Sequence, residues 1–216
     1  MKTLYCFGDS WGYGSELDFS QGERPFADLV SEKLGYSLKN YSQSNMSLGL
    51  ITRQISQIAK NINKGDLVLV VIPPDSRWYT EWQTLDYKKN DFFNDKSNEW
   101  FEYHHQLFIF AICEILNKTD CYYLLMHNYG KFPLGNDDYF FSNLYQEKFL
   151  GKESLTGILT DYHDTDSPIE IETRQGSFIF YGPYFEGCYR HPNQKGHEKI
   201  AELIEQKISK VTNELA

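Results

Sequence analysis

Two short stretches, one toward each end of the chain, carry residue types that can do covalent chemistry. Residues 6–14 read CFGDSWGYG and set Ser10 between Asp9 and Trp11, while residues 191–197 read HPNQKGH and hold two histidines. A serine hydroxyl is a weak nucleophile at neutral pH and needs a neighbouring base to take its proton. Histidine titrates near neutrality, so it can accept that proton and later return it to a leaving alcohol. A serine and a histidine brought together would therefore suit acyl transfer. Gly8-Asp9-Ser10-Trp11-Gly12 also fits G-x-S-x-G, but that elbow belongs after several strands and an oxyanion-hole loop. Here one short candidate strand comes before Ser10, which argues against it.

Other constellations carry less. The run DYHDTD at 161–166 groups three aspartates with His163 but lacks the spacing and the glycine of a calcium loop, so it reads as a solvated loop. His104-His105 has no H-E-x-x-H partner, and no metal is expected. Gly8, Gly12 and Gly14 match neither the P-loop nor the dinucleotide fingerprint, so no nucleotide or other cofactor is expected. Cys6, Cys113, Cys121 and Cys188 show neither metal spacing nor the density of a disulfide framework.

These residues need elements to position them. Thr3–Phe7 is a short apolar run that Gly8 ends, and LVLVVI at 67–72 is an uninterrupted apolar run before Pro73-Pro74, the signature of a buried central strand. Further strands are expected at 37–42, 121–126 and 177–181. Apolar spacing of three and four predicts helices over 24–34, 48–62, 98–117 and 196–211. Strand and helix alternate, which predicts a mostly parallel sheet covered on both faces. Gly8-Asp9-Ser10, Pro73-Pro74-Asp75-Ser76-Arg77 and His127-Asn128 each follow a strand. They should share the carboxyl edge of the sheet, where such folds bind ligands. Segments 75–97 and 129–176 show no clear period and are expected to be excursions near the edge or mouth.

The 216 residues, 41% hydrophobic and 24% charged, suit a single domain over 1–216. A net charge of -9 disfavours nucleic acid and anionic membranes as partners. The opening apolar run is too short for a signal peptide, and no run approaches the roughly 20 residues that span a bilayer, so a cytoplasmic location is expected. Aromatics reach 16%, including 16 tyrosines, which suits a groove that stacks flat ligands. The oligomeric state is not legible.

FGDSWGYG near one end and HPNQKGHEKIA near the other, in that order on an alternating α/β pattern, resemble the SGNH (GDSL-type) hydrolases. The resemblance covers the two ends well and the middle poorly. It implies a flavodoxin-like three-layer α/β/α sandwich with a mostly parallel sheet of about five strands, in which Ser10 is the nucleophile and His191 the base. His197 would then anchor the start of the last helix. The backbone N–H groups of Ser10 and of a second-block glycine would hold the oxyanion. In NYSQSNMSLG that glycine slot falls on Asn45, with Gly49 close behind; asparagine tolerates left-handed backbone better than most residues. The third block, usually Gly-x-Asn-Asp, reads Ile72-Pro73-Pro74-Asp75 here, so Asn128 or Arg77 is the expected substitute donor. The aspartate that normally precedes the histidine by three is Cys188. Glu186, Asp161, Asp164 and Asp166 are the candidate replacements, and a Ser–His dyad assisted by a backbone carbonyl is the other arrangement. Asp9, Trp11 and Arg77 are expected substrate contacts. The implied reaction is hydrolysis of a carboxylic ester on a small molecule or carbohydrate, such as an O-acetyl group. The alternative is a catalytically impaired module that binds a glycan or protein partner.

Overall fold

The computed structural model describes residues 2–15, 17–74, 77–79, 84–86, 98–128, 144–151, 154–161, 168–173, 176–181, 185–186 and 191–214. Its centre is a four-stranded parallel sheet of β1 (Thr3–Phe7), β2 (Ser37–Asn40), β3 (Leu67–Ile72) and β4 (Tyr122–His127) in the order β2-β1-β3-β4. Six α-helices accompany it among the described residues: α1 (Ser10–Tyr13), α2 (Phe26–Leu34), α3 (Leu48–Ile58), α4 (Asn98–Asn117), α5 (Leu155–Asp161) and α6 (Gln194–Glu214).

Alternation along the strands sorts the core into two layers. Leu4, Cys6, Leu67, Leu69, Val71, Leu124 and Met126 face α2, α5 and α6, which contribute Phe26, Val30, Leu159, Ile200 and Ile204. Tyr5, Phe7, Val68, Val70, Ile72, Tyr123 and Leu125 face α3 and α4, which contribute Ile51, Ile55, Ile109 and Leu116. Every residue of β3 is buried, as a strand covered on both faces must be. The chain moves outward from β1 to β2, then crosses back to β3. Between β1 and β3 the strand order reverses, and outside the carboxyl ends at such a point these folds open a crevice.

The sheet has four strands among the described residues, where about five were expected. Beyond β4 the edge continues as one parallel bridge, Leu125 to Phe149. The expected strand at 177–181 does form, over Gly176–Tyr181, but it pairs antiparallel with Pro168–Thr173 instead of joining the sheet. A two-residue connection allows a hairpin, whereas a parallel neighbour needs a crossover of a dozen residues or more. Likewise Arg77–Tyr79 pairs antiparallel with Thr84–Asp86 inside the 75–97 excursion. The 129–176 segment is not wholly peripheral: Leu155 and Leu159 of α5 lie in the core, and Phe149 packs on the opposite layer. A seven-residue helix is too short to declare a period. No helix among the described residues is long and apolar enough to cross a membrane.

Candidate active site

β1 delivers the chain to the sheet edge, where Asp9, in extended conformation, caps the single turn of α1. Its Oδ1 accepts the Trp11 N–H at 3.1 Å. Ser10 is the first residue of that turn, so its own N–H has no acceptor within the helix. Two glycines let this turn lie directly on the sheet. A Cβ on Gly8 would come within 2.7 Å of Val71 Cβ, and one on Gly12 within 2.4 Å of Ser42 Oγ. The G-x-S-x-G spacing therefore records close packing against β3 and the end of β2. Gly14, with φ +83°, ends the turn through its N–H to the Ser10 carbonyl.

His191 reaches the same point from the other end of the chain. Its Nε2 lies 2.7 Å from Ser10 Oγ, across 181 residues of sequence. The backbone at His191–Pro192 pairs antiparallel with Phe185–Glu186, which puts Glu186 opposite His191 in register. Asn193 then starts α6, its Oδ1 accepting the Gly196 N–H at 3.0 Å. A hydroxyl and an imidazole in this geometry can exchange a proton, the first requirement of serine-based acyl transfer. Ser10 is only 5% exposed, so a charge that develops there is weakly screened.

His197 is fully buried, accepts the Phe26 N–H on Nδ1 at 3.2 Å and stacks on the Phe26 ring. Phe26 is the first residue of α2 and Pro25 offers no side-chain cap, so His197 satisfies an otherwise orphaned donor and ties the starts of α2 and α6 together. Burial, and then the neighbouring His191, lower its pKa from 6.5 to about 3. The unfolded chain takes up a proton near 6.5 that the folded chain refuses. Stability from His197 is thus full above about pH 6.5 and falls as pH drops toward 3, by about 1.4 kcal/mol per pH unit. Buried His127, whose pKa is also pushed down by burial and then by His105, acts in the same direction. His197→Asn should accordingly flatten the pH dependence of the urea midpoint between pH 4 and 6. A slope equal to wild type would refute this account.

Asp9 and Trp11, expected to touch substrate, are both fully buried. Trp11 belongs to the core layer beneath α2 and α6, because α1 turns its second residue inward. Asp9 is a brace: besides capping α1, its Oδ2 accepts Asn128 Nδ2 at 2.7 Å. Asn128, expected as an oxyanion donor, is likewise fully buried and gives its amide to Asp9. Its backbone is fixed by an N–H to the Ile72 carbonyl at 3.2 Å and by Thr156 N–H on its own carbonyl at 3.1 Å. Asn128 Oδ1 has no hydrogen-bond partner among the described residues. The Ser10 turn is therefore bolted to the end of β4 and, through Thr156, to α5.

Asn45 adopts the left-handed conformation expected of the glycine slot, with φ 65°, at the third position of a turn closed by Met46 N–H to the Gln43 carbonyl. Gly49 is buried within α3. The side chains of Arg77, Asp161 and Glu186, and the whole of Cys188, Asp164 and Asp166, lie outside the described residues. No cluster of three or more potential metal ligands occurs among the described residues. His104 and His105 bond the carbonyls of Trp100 and Pro73. Sequence reasoning missed the Asp9–Asn128 brace; Asn128 directly after a strand was the one available signal, and its partner was not legible.

No protein-family model matches the sequence, and no curated protein matches it. Solved structures resemble it in fold. The psychrotrophic esterase EstA from Pseudoalteromonas sp. aligns with a TM-score of 0.55 over 99% of this chain and 100% of its own, at 14% identity. A member of the lipolytic protein G-D-S-L family from Veillonella parvula DSM 2008 gives 0.54 over 95% and 97%, at 11% identity. The Bacillus subtilis protein YXIM gives 0.58 at 12% identity over 98% of this chain, which spans 57% of YXIM. A parallel sheet with helices on both faces and these likenesses together establish that the chain has the fold of the SGNH (GDSL-type) hydrolases.

Proposed function

We propose that this protein is a serine esterase that removes an O-acetyl group from a carbohydrate. The contact of 2.7 Å between His191 Nε2 and Ser10 Oγ, at the carboxyl edge of the sheet, carries the reading. His191 takes the hydroxyl proton as Oγ attacks the ester carbonyl, and the tetrahedral oxyanion collapses to acyl-Ser10. The proton passes from His191 to the departing alcohol oxygen. Water, deprotonated by the same imidazole, then attacks the acyl-enzyme; the acyl–Oγ bond breaks, His191 returns the proton to Ser10 Oγ, and acetic acid leaves. The N–H groups of Ser10 and Asn45 serve as oxyanion donors: the first is orphaned at the helix start, and the second is presented by a left-handed turn. The esterase and the lipolytic G-D-S-L protein among the similar folds support the reaction class. The aromatic-rich composition supports a carbohydrate.

Glu186 is the orienting acid in this reading. Directly opposed residues of an antiparallel pair carry their Cβ atoms on one face, and the register sets Glu186 opposite His191. Glu186→Gln should lower kcat by up to about 10⁴, the loss seen when a triad acid is neutralised. Asp161→Asn should leave kcat unchanged. The reverse pattern would move the role to Asp161.

Labelling by a fluorophosphonate probe tests the whole reading. Wild type should be labelled and Ser10→Ala should not. Absence of Ser10-dependent labelling and of p-nitrophenyl acetate turnover would leave the fold as a binding module.

A further inference from the structure

Tyr13 and Phe19 are large aromatic side chains left about half in water, 47% and 51% exposed, beside a fully buried Trp11. Their rings meet edge to face, 6.3 Å between centroids. Tyr13 is three residues after Ser10 in one helical turn, a spacing that places two side chains side by side, with Cβ atoms about 5–6 Å apart. Tyr13 therefore stands beside Ser10, and Phe19 against the Tyr13 ring.

The loop that carries Phe19 is organised despite its exposure. Asp18 caps the short helix Phe19–Gln21, its Oδ1 accepting the Ser20 N–H at 3.0 Å and its Oδ2 accepting Gln21 Nε2 at 2.9 Å. The Asp18 N–H donates to Glu23 Oε2 at 2.7 Å, and Gly22 ends the turn at φ +83°. The Ser20 hydroxyl also donates to Asp18 Oδ1, and this bond leads those from Ser20 and Gln21 that hold the Asp18 carboxyl below its usual range. The flanks of the loop are tied to the two sides of the site. Ser15 Oγ lies 2.7 Å from Ser44 Oγ, beside Asn45. The Arg24 N–H donates to Gln194 Oε1 at 2.7 Å, three residues past His191. A hydrogen-bonded loop that keeps an aromatic ring in water, fixed between the Asn45 turn and the His191 segment, is preorganised for a ligand.

We infer that Tyr13 and Phe19 form a stacking platform for the sugar ring of the ester, and so set specificity for its alcohol half. This deepens the esterase reading and rests on it. Rigid aromatic faces suit the apolar C–H face of a pyranose. The charge of -9, with Asp18 and Glu23 in the loop itself, favours a neutral ring over an anionic one.

Two esters of the same acyl group separate the platform from the chemistry: a peracetylated methyl β-D-glucopyranoside, and ethyl acetate, whose leaving group has no ring. The ratio of kcat/KM for the glycoside to that for ethyl acetate should fall about five- to tenfold in Tyr13→Ala and in Phe19→Ala, through KM. Tyr13→Phe should restore it. Equal losses on both esters, or an unchanged ratio, would overturn the proposal. Ligand-observed NMR on Ser10→Ala protein reads the platform without turnover. Saturation transfer to the glycoside ring protons should be lost when Tyr13→Ala or Phe19→Ala is added, whether or not wild type cleaves any ester. Transfer retained in both overturns the proposal and leaves the esterase reading intact.

Discussion

Ser10→Ala is expected to lower kcat for p-nitrophenyl acetate by a factor on the order of 10⁴–10⁶, and His191→Ala by a similar factor. The decisive measurement is the double variant. The two side chains touch at 2.7 Å and act on one proton, so removing both should cost little more than removing either. Some acceleration over water should survive in all three variants, because the backbone donors and the shape of the site are untouched. Losses that multiply in the double variant would mean that Ser10 and His191 do not work as a unit. That outcome would sink the mechanism even if each single variant were slow. KM should change little, since neither side chain is assigned to holding the ring.

The second large effect concerns a fully buried residue that braces the Ser10 turn. Asp9→Ala removes the cap of α1, worth about 1 kcal/mol, and leaves the buried Asn128 amide without its acceptor, worth about 1–3 kcal/mol. Unfolding by urea should show a loss of about 2–4 kcal/mol. The turnover number should fall too, by about 10²-fold, because the cap sets where Ser10 Oγ stands relative to His191 and a misplacement of about 1 Å has that cost. Asp9→Asn should be much milder. It keeps an oxygen for the Trp11 N–H, and Asn128, whose Oδ1 has no partner among the described residues, can rotate its amide to accept from the new side chain. If Asp9→Asn is as damaging as Asp9→Ala, the charge rather than the hydrogen-bond pattern is what holds the turn.

The two blocks that bring Ser10 and His191 together were legible because each is local. FGDSWGYG contains a strand end, a capping aspartate, the serine and the glycines that let the turn lie against Val71 and Ser42. Asn45 was legible for the same reason: a left-handed position selects its residue type wherever it occurs. The four parallel strands and the long helices followed from periodicity, with α4 matching its expected bounds. The hairpin of 168–173 with 176–181 and the core role of α5 were not legible, because short elements carry too few residues to show which face is buried.

The sequence by itself determined which residues can react and which element presents each one, since side-chain spacing encodes the face of a helix or strand. The tertiary structure decided partnership. Asp9 and Asn128 are 119 residues apart and meet only because β1 and β4 flank β3 in one sheet. Trp11 is a core residue and Tyr13 a surface one, two positions along the same turn, because the sheet lies on one side of α1 and water on the other. Strand order and register, which no local pattern specifies, convert a capped serine into one that faces a histidine.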